Sequence, residues 1–217
     1  MLNDINGVIF DMDGTLIDSM WVWSKIDTDF LSKRGFTPPG NLKSEIEHLT
    51  FIECAEYFKK NFSIDGTIED IIEEWNDMAE YEYEHNIKLK PGAEAFLKLL
   101  KTLNIKVGIA TSNSSYLIEK VLKNNGIYDY FDAITTVDEV NRGKNFPDIY
   151  LLAAEKLQVN PKHCLVFEDI LPAVLGAKAA GMKVIGVHDA YSEYQKDDII
   201  KEADKYILNY HELMNAI

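Results

Sequence analysis

Two carboxylates, Asp11 and Asp13, stand one residue apart where a short apolar segment of the chain ends. The preceding run Gly7–Phe10 carries no charge, which indicates a strand buried on both faces, and Gly14 then interrupts it. Because residues i and i+2 of a strand point to the same side, both carboxylates could face one site if the chain stays extended. Such a pair predicts a magnesium site, or a nucleophile with an acid beside it.

Polar residues also follow three later apolar segments. They are Thr111, Ser112, Asn113 and Ser114 after the second, Asn141, Arg142, Gly143 and Lys144 after the third, and Glu168 and Asp169 after the fourth. Taken singly, each group has an ordinary structural interpretation. Asp13-Gly14 is typical of a turn and Thr111 to Ser114 of a helix N-cap, while Lys144 is typical of a surface lysine and Glu168-Asp169 of a solvated loop. Their occurrence at four successive strand ends favours one shared site, because ligands of parallel sheets bind at the carboxyl ends of the strands.

The elements that must position these residues follow an α/β rhythm. Strands are predicted at Gly7–Phe10, Lys106–Thr111, Ala133–Thr136, His163–Phe167, Lys183–Val187 and Lys205–Ile207. Helices are predicted from Asp18 or Ser19 as N-cap to Lys33, then at about 43–62, 67–85, 93–103, 116–125, 149–157 and 173–180. This alternation predicts a Rossmann-like parallel sheet with helices on both faces.

One block interrupts the rhythm, because residues 17–89 contain no convincing strand. We expect a small all-helical insert there, with residues 1–16 and 90–217 forming the core. Within it, the acidic run Glu69–Glu84 carries apolar residues at helical spacing, which predicts an amphipathic helix with its acids on the solvated side. Trp75 is expected in the core of this insert.

The formal net charge of −14 argues against nucleic acid or an anionic membrane as a partner, but permits a small phosphorylated ligand. Cys54 and Cys164 form no paired motif and are expected to be reduced thiols. No signal peptide is apparent and no apolar run approaches the ~18 residues of a membrane span. We expect a cytoplasmic protein, and nothing in the chain demands more than a monomer.

Four motifs together resemble the haloacid dehalogenase superfamily of phosphohydrolases, specifically the branch with a helical cap that includes phosphatases and β-phosphoglucomutase. The first motif is matched by Asp11-Met12-Asp13-Gly14-Thr15-Leu16, the second by Thr111-Ser112-Asn113, the third by Lys144 and the fourth by Glu168-Asp169. Flanking segments Pro147–Tyr150 and Ala179–Met182 also match, so the resemblance covers nearly the whole chain.

The resemblance implies a role for each motif residue. Asp11 would be the nucleophile that forms an aspartyl-phosphate, and Asp13 would be the acid and base for the leaving alcohol and the attacking water. Mg²⁺ would be held by Asp11, the backbone carbonyl of Asp13 and Asp169, with Glu168 as a ligand or a hydrogen-bond partner of the ligands. Thr111, Ser112, Asn113 and Lys144 would bind the phosphoryl group.

Some positions depart from the family pattern. Ile170 replaces a small polar residue, Ala173 a glycine, and Asn145 a proline after the lysine. Trp23 and Ile52 stand where β-phosphoglucomutases carry a cap histidine and a phosphate-gripping arginine, so both are candidate specificity residues. The two cap departures favour a phosphatase for a less charged or differently held substrate over a sugar-phosphate mutase, which must hold a bisphosphate by both ends. The expected substrate is a small phosphate monoester of the sugar or polyol phosphate class.

Other interpretations remain open from the sequence. The chain could be a mutase, or a protein of this fold that binds a phosphorylated ligand without turnover. A receiver domain also combines Asp, a hydroxyl residue and Lys, but its acceptor follows the third strand and it has no cap. Histidines 48, 85, 163, 188 and 211 show no metal-binding spacing and are expected to be non-catalytic.

Overall fold

The computed structural model describes residues 2, 4–46, 51–140 and 142–214. Six strands form one parallel sheet in the order β3-β2-β1-β4-β5-β6. They are β1 (Gly7–Phe10), β2 (Lys106–Thr111), β3 (Ala133–Thr136), β4 (Cys164–Glu168), β5 (Lys183–Val187) and β6 (Lys205–Ile207). His163 was predicted to begin β4, but it ends a 3₁₀ turn that starts at Pro161 and is capped by Asn160, whose Oδ1 accepts from the Lys162 amide.

The helices of the described residues follow the predicted order with shifted ends. They are α1 (Trp21–Lys33), α2 (Leu42–Ile46), α3 (Phe51–Phe62), α4 (Ile68–His85), α5 (Ala93–Thr102), α6 (Ser115–Asn124), α7 (Asp148–Leu157), α8 (Leu171–Ala179), α9 (Lys196–Glu202) and α10 (His211–Met214). One helix was predicted over 43–62; residues 47–50 of that stretch lie outside the described residues. Helix α8 begins before Ala173 because Pro172 is tolerated in a first turn, and α9 and α10 were not predicted.

The sheet is covered on both faces, as consecutive residues of β1 show. Ile9 packs in a buried cluster with Ile149 of α7 and Val174 of α8. The next residue, Phe10, points to the opposite face. There its ring stacks on Phe167 at 4.9 Å between centroids, and Phe96 of α5 packs edge-on against it. The predicted Rossmann-like α/β fold is confirmed.

The first predicted helix cap is wrong. Helix α1 begins after Met20, which makes no side-chain cap. The Ser19 hydroxyl donates instead to Oδ1 of Asp13 at 2.7 Å, and the Asp18 amide donates to the Lys88 carbonyl at 2.9 Å. Both predicted cap residues therefore form hydrogen bonds that fix the segment after β1 instead of capping α1.

The chain divides into two compact units, Met1–Ser19 with Ile87–Ile217, and Met20–Asn86. We call them the sheet unit and the helical unit. The described residues of the helical unit form α1 to α4 around an aromatic core in which Trp75 contacts Phe30 and Phe58 at 5.5 and 5.0 Å between ring centroids.

Helix α4 is amphipathic, with one exception to the predicted pattern. Ile71 and Trp75 are buried as expected, and Thr67 forms a capping box with Asp70 at the start of the helix. Glu82, however, is not on the solvated side: it is 5% exposed and pairs with Lys25 at 2.9 Å. A cation from α1 compensates this acid, so its burial is tolerated.

Within the described part of the chain, every helix is too short or too polar to cross a lipid bilayer. Cys54 and Cys164 are both free thiols. Burial raises the pKa of the Cys164 thiol to about 11, so it behaves as an inert core residue.

Candidate active site

The loop after β1 starts at the centre of the sheet, where β1 lies between β2 and β4. The Asp11 amide donates to the Phe167 carbonyl at 3.0 Å, so Asp11 still follows the direction of the sheet. The chain then turns sharply, because the amides of Leu16 and Ile17 both donate to the Met12 carbonyl and Gly14 adopts φ 78°. The turn gives the side chains of Asp11 and Asp13 different surroundings.

Asp13 is half-buried and held by two neutral donors. Its Oδ1 accepts from the Ser19 hydroxyl at 2.7 Å, and its Oδ2 accepts from Nδ2 of Asn113 at 3.0 Å. Asn113 follows β2, so this bond joins two of the predicted motifs. The importance of Ser19 was missed, because its sequence signal is that of an ordinary helix cap.

Thr111 is the last residue of β2 and is 1% exposed. Its hydroxyl accepts from the Asn113 amide at 3.1 Å, while Ser114 caps α6 by accepting from the Leu117 amide. Ser112 between them is exposed. These residues lie at the carboxyl edge of the sheet, at the N-terminus of a ten-residue helix, which favours an anion.

Lys144 reaches this edge from the loop between β3 and α7. Its ammonium lies 2.6 Å from Oδ1 of Asp11 and also forms an ion pair with Glu168. Burial alone would lower the pKa of Lys144, but the negative charges of Asp11 and Glu168 outweigh it and raise the pKa. The lysine therefore stays charged and bridges two of the motifs.

Glu168 ends β4 and Asp169 follows it, and they are 0% and 3% exposed. Oε1 of Glu168 accepts from the Tyr150 hydroxyl at 2.7 Å, and Oδ1 of Asp169 accepts from the Thr15 hydroxyl at 3.1 Å. Sequence reasoning gave no role to Tyr150 or Thr15, although both stand inside segments that matched the family. Each of them orients one of the two acids through a hydrogen bond.

Three of these acids form a cluster fit for a cation. Asp11, Glu168 and Asp169 each offer a carboxylate oxygen, and these oxygens all lie within 4.8 Å of one another. Oε2 of Glu168 is buried and has no hydrogen-bond partner among the residues that the structure describes. Burial, and then the neighbouring carboxylates, raise the pKa of Asp169 well above its usual range, and burial raises that of Glu168 to about 8 despite Lys144. A hard divalent cation with oxygen ligands would offset this concentrated negative charge.

The predicted motif residues are thus brought together in the sheet unit. The Asp13 side chain is not part of the acid cluster, so only its backbone carbonyl remains a predicted ligand. Trp23 and Ile52 belong to the helical unit, where their exposed fractions are 37% and 58%.

Two relatives that match most of this chain carry phosphatase in their names. Bifunctional riboflavin kinase/FMN phosphatase of Arabidopsis thaliana is 34% identical over 181 residues, which are 83% of this chain and 48% of that protein. The chain therefore spans about half of that relative. Hexitol phosphatase B of Escherichia coli (strain K12) is 30% identical over 189 residues, covering 84% of this chain and 83% of the relative.

A solved structure from Thermotoga maritima, provisionally named a β-phosphoglucomutase, shares 27% identity with a TM-score of 0.83 and covers 98% of both chains. The family comparison and the phosphatase names of the relatives identify the chain as an enzyme of the hydrolase class. The family described as haloacid dehalogenase-like hydrolase matches residues 5–181, and the chain belongs to it. The predicted family, and the prediction of a phosphatase-type enzyme of this family, are confirmed.

Proposed function

We propose that the chain is a magnesium-dependent phosphatase that hydrolyses a small phosphate monoester through an aspartyl-phosphate on Asp11. The observation that supports this proposal most is that the carboxylates of Asp11 and Asp13 have different surroundings. Asp11 is buried against Lys144 within the acid cluster, whereas Asp13 is held apart by Ser19 and Asn113. A nucleophile and a proton carrier need such separate surroundings.

The acid cluster fits Mg²⁺, because its donors are carboxylate oxygens and Oε2 of Glu168 has no hydrogen-bond partner in the described part of the chain. Asp11, Asp169 and the backbone carbonyl of Asp13 would hold the ion, with Glu168 as a further ligand or as a partner of the ligands. When bound, Mg²⁺ would offset the repulsion between the Asp11 carboxylate and the phosphate oxygens.

Residues of the chain would perform each step of the reaction. A carboxylate oxygen of Asp11 forms a bond to phosphorus while the bond from phosphorus to the alcohol oxygen breaks, and Asp13 gives its proton to that alcohol. Water then attacks the phosphorus of the aspartyl-phosphate and gives a proton to Asp13. The bond from the Asp11 oxygen to phosphorus breaks, which frees inorganic phosphate and the Asp11 carboxylate. The Asp13 carboxyl must be protonated for the first step and ionised for the second.

Phosphate binding would fall to the loop after β2 and to Lys144. The Thr111 hydroxyl and the Ser112 amide would donate to phosphoryl oxygens at the start of α6, with Asn113 beside them as a further binding residue. The Lys144 ammonium would neutralise charge that develops on the same group.

The substrate class is proposed from the relatives and from the helical unit. Named relatives act on FMN and on hexitol phosphates, which are small phosphorylated molecules. We take residues 17–89 as a cap, with Trp23 and Ile52 as its specificity residues, and a sugar or polyol phosphate as the substrate. We further propose a monomer that acts in the cytoplasm on this metabolite, without nucleic acid or membrane as a partner.

The deciding experiment uses the full chain with Mg²⁺ and a panel of metabolite phosphates, scored by released inorganic phosphate. We expect turnover of at least one sugar or polyol phosphate, and none in Asp11→Asn. The structure from Thermotoga maritima favours a mutase as the second candidate. Isomerisation of a sugar phosphate without phosphate release would establish that alternative, and binding without any turnover would establish a non-catalytic binding protein.

A further inference from the structure

Gly176 lies in the middle of α8, with its Cα against the loop that carries Lys144. A Cβ atom at this position would lie 2.0 Å from the carbonyl oxygen of Lys144 and 3.0 Å from that of Phe146. Real Cβ atoms essentially never come closer than 3.0 Å to such an atom, so the Lys144 carbonyl would have to move by about 1 Å. Glycine is a poor helix former, so close backbone approach accounts for its presence here.

The helix cannot yield to such a clash, whereas the loop can. The neighbouring α8 residues Val174 and Ala177 are fully buried in the main core cluster. In the loop, Gly143, Asn145 and Phe146 are exposed, and the Phe146 amide donates to the Gly143 carbonyl at 3.1 Å. Added bulk at 176 would therefore displace the loop and with it the Lys144 backbone.

Displacement of the Lys144 backbone matters because the Lys144 ammonium forms ion pairs with two acids, Asp11 at 2.6 Å and Glu168. We propose that Gly176 is a positioning residue that sets the reach of Lys144 onto the Asp11 carboxylate. This inference rests on the proposed phosphatase function for its activity readout. Gly176 touches no reacting atom and acts only through the lysine.

The test is a double-mutant cycle with Gly176→Ala and Lys144→Ala, measured with Mg²⁺ and an aryl phosphate. In the parent background we expect Gly176→Ala to lower kcat/KM by about 100-fold, mostly through kcat, since a misplacement of about 1 Å can cost that much. In the Lys144→Ala background the same substitution should cause no further loss of activity, because the side chain that it misplaces is gone. Gly40→Ala is the matched control, since a Cβ at Gly40 meets nothing within 4 Å.

Three results would overturn the inference: unchanged kcat/KM in Gly176→Ala, an equal loss in both backgrounds, or a variant that does not fold. The last would mean that Gly176 serves the packing of α8 and not the lysine. A crystal structure of Gly176→Ala tests the inference independently of enzymatic activity. We expect the distance from the Lys144 ammonium to the Asp11 carboxylate to be longer in it. A parent chain inactive on every phosphate would contradict the proposed function and leave that structural measurement standing.

Discussion

The ammonium of Lys144 lies 2.6 Å from Oδ1 of Asp11, and each of these side chains exposes only 9% of its surface. The same ammonium also contacts Glu168, which is fully buried. One cation thus compensates two of the three carboxylates in the acid cluster, and the remaining charge is left for a metal ion. Lysine and metal therefore have separable effects, which substitution can distinguish.

Lys144→Met is expected to lower kcat/KM by about 10²- to 10³-fold, the scale of losing one preorganised electrostatic group. Breaking a buried ion pair should also lower the free energy of unfolding by about 3–5 kcal/mol when no metal is present. Mg²⁺ affinity, measured by calorimetry, should stay equal or rise, because the cluster becomes more negative. A fall in Mg²⁺ affinity parallel to the fall in activity would show that Lys144 supports the metal and not the reaction.

Asp11→Asn should lower turnover by at least about 10⁴-fold, because the amide cannot attack phosphorus and activity loss on this scale follows removal of a nucleophile. The variant should keep its fold, since an amide oxygen can still accept from Lys144. Asp138→Asn, at an exposed carboxylate, is the control and should be fully active. Full activity in Asp11→Asn would end the assignment of the nucleophile.

Asp13→Asn should lower kcat by about 10²- to 10⁴-fold on an alkyl phosphate, the usual contribution of a general acid or base. An aryl phosphate has a leaving group that needs little protonation, so its first step should survive better than the second. We therefore expect a burst of phenolate equal to the enzyme concentration, followed by slow turnover. Slow turnover without a burst would argue against Asp13 as the base of the second step.

Chelation of divalent metal should abolish phosphate release, and added Mg²⁺ should restore it. A ligand that binds only the folded state stabilises it, by about 2.7 kcal/mol at 100 times Kd. Saturating Mg²⁺ should therefore also raise the Tm of the parent chain. Asp169→Asn should remove most of this shift, since it deletes one ligand of the cluster. An undiminished shift in that variant would place the metal elsewhere.

The sequence was sufficient to predict the sheet and the motif residues, because both depend on local signals. Uncharged runs such as Gly7–Phe10 indicated buried strands, and the carboxyl ends of parallel strands necessarily share an edge. What it could not supply were contacts between residues distant in sequence. The bond from Tyr150 to Glu168, and that from Thr15 to Asp169 across 154 positions, depend on how finished elements pack.

Local signals also misled where one side chain had two possible partners. Ser19 carries the usual pattern of a helix cap, yet its hydroxyl bonds Asp13, and the helix starts without a side-chain cap. Glu82 has the composition of a solvated face but is paired and buried against Lys25. In both cases a tertiary partner decided the outcome, and for Ser19 it outweighed a capping preference of about 1 kcal/mol.

Asp27 on α1 predicts a pH dependence of stability. Burial raises the pKa of its carboxyl from 3.8 to about 6. Between these values the folded state keeps a proton that the unfolded chain releases, so stability falls as pH rises through this window and remains lower at pH 7. Asp27→Asn should therefore stabilise the chain by about 1–2 kcal/mol at pH 7 and by nothing near pH 3, measured by urea denaturation. Asp65→Asn, at an exposed carboxyl, should give no such difference between the two pH values.

Trp23 and Ile52 give the sharpest test of the helical unit as a cap. Both are large apolar residues with exposed fractions of 37% and 58%, so truncation to alanine should hardly change the fold. If they contact the organic part of the substrate, Trp23→Ala and Ile52→Ala should lower kcat/KM for the preferred metabolite by about 10-fold or more, the scale of 1–3 kcal/mol for lost apolar contacts. Hydrolysis of a small aryl phosphate, which offers no such contacts, should change less than about 2-fold.

The ratio between the two substrates is therefore the measurement, because loss of folded protein would lower both rates equally. Tyr81→Ala is the matched control, since Tyr81 is equally exposed at 58% on α4 and has no predicted role in specificity. Equal losses on both substrates, or an unchanged ratio in both variants, would remove Trp23 and Ile52 from the substrate site.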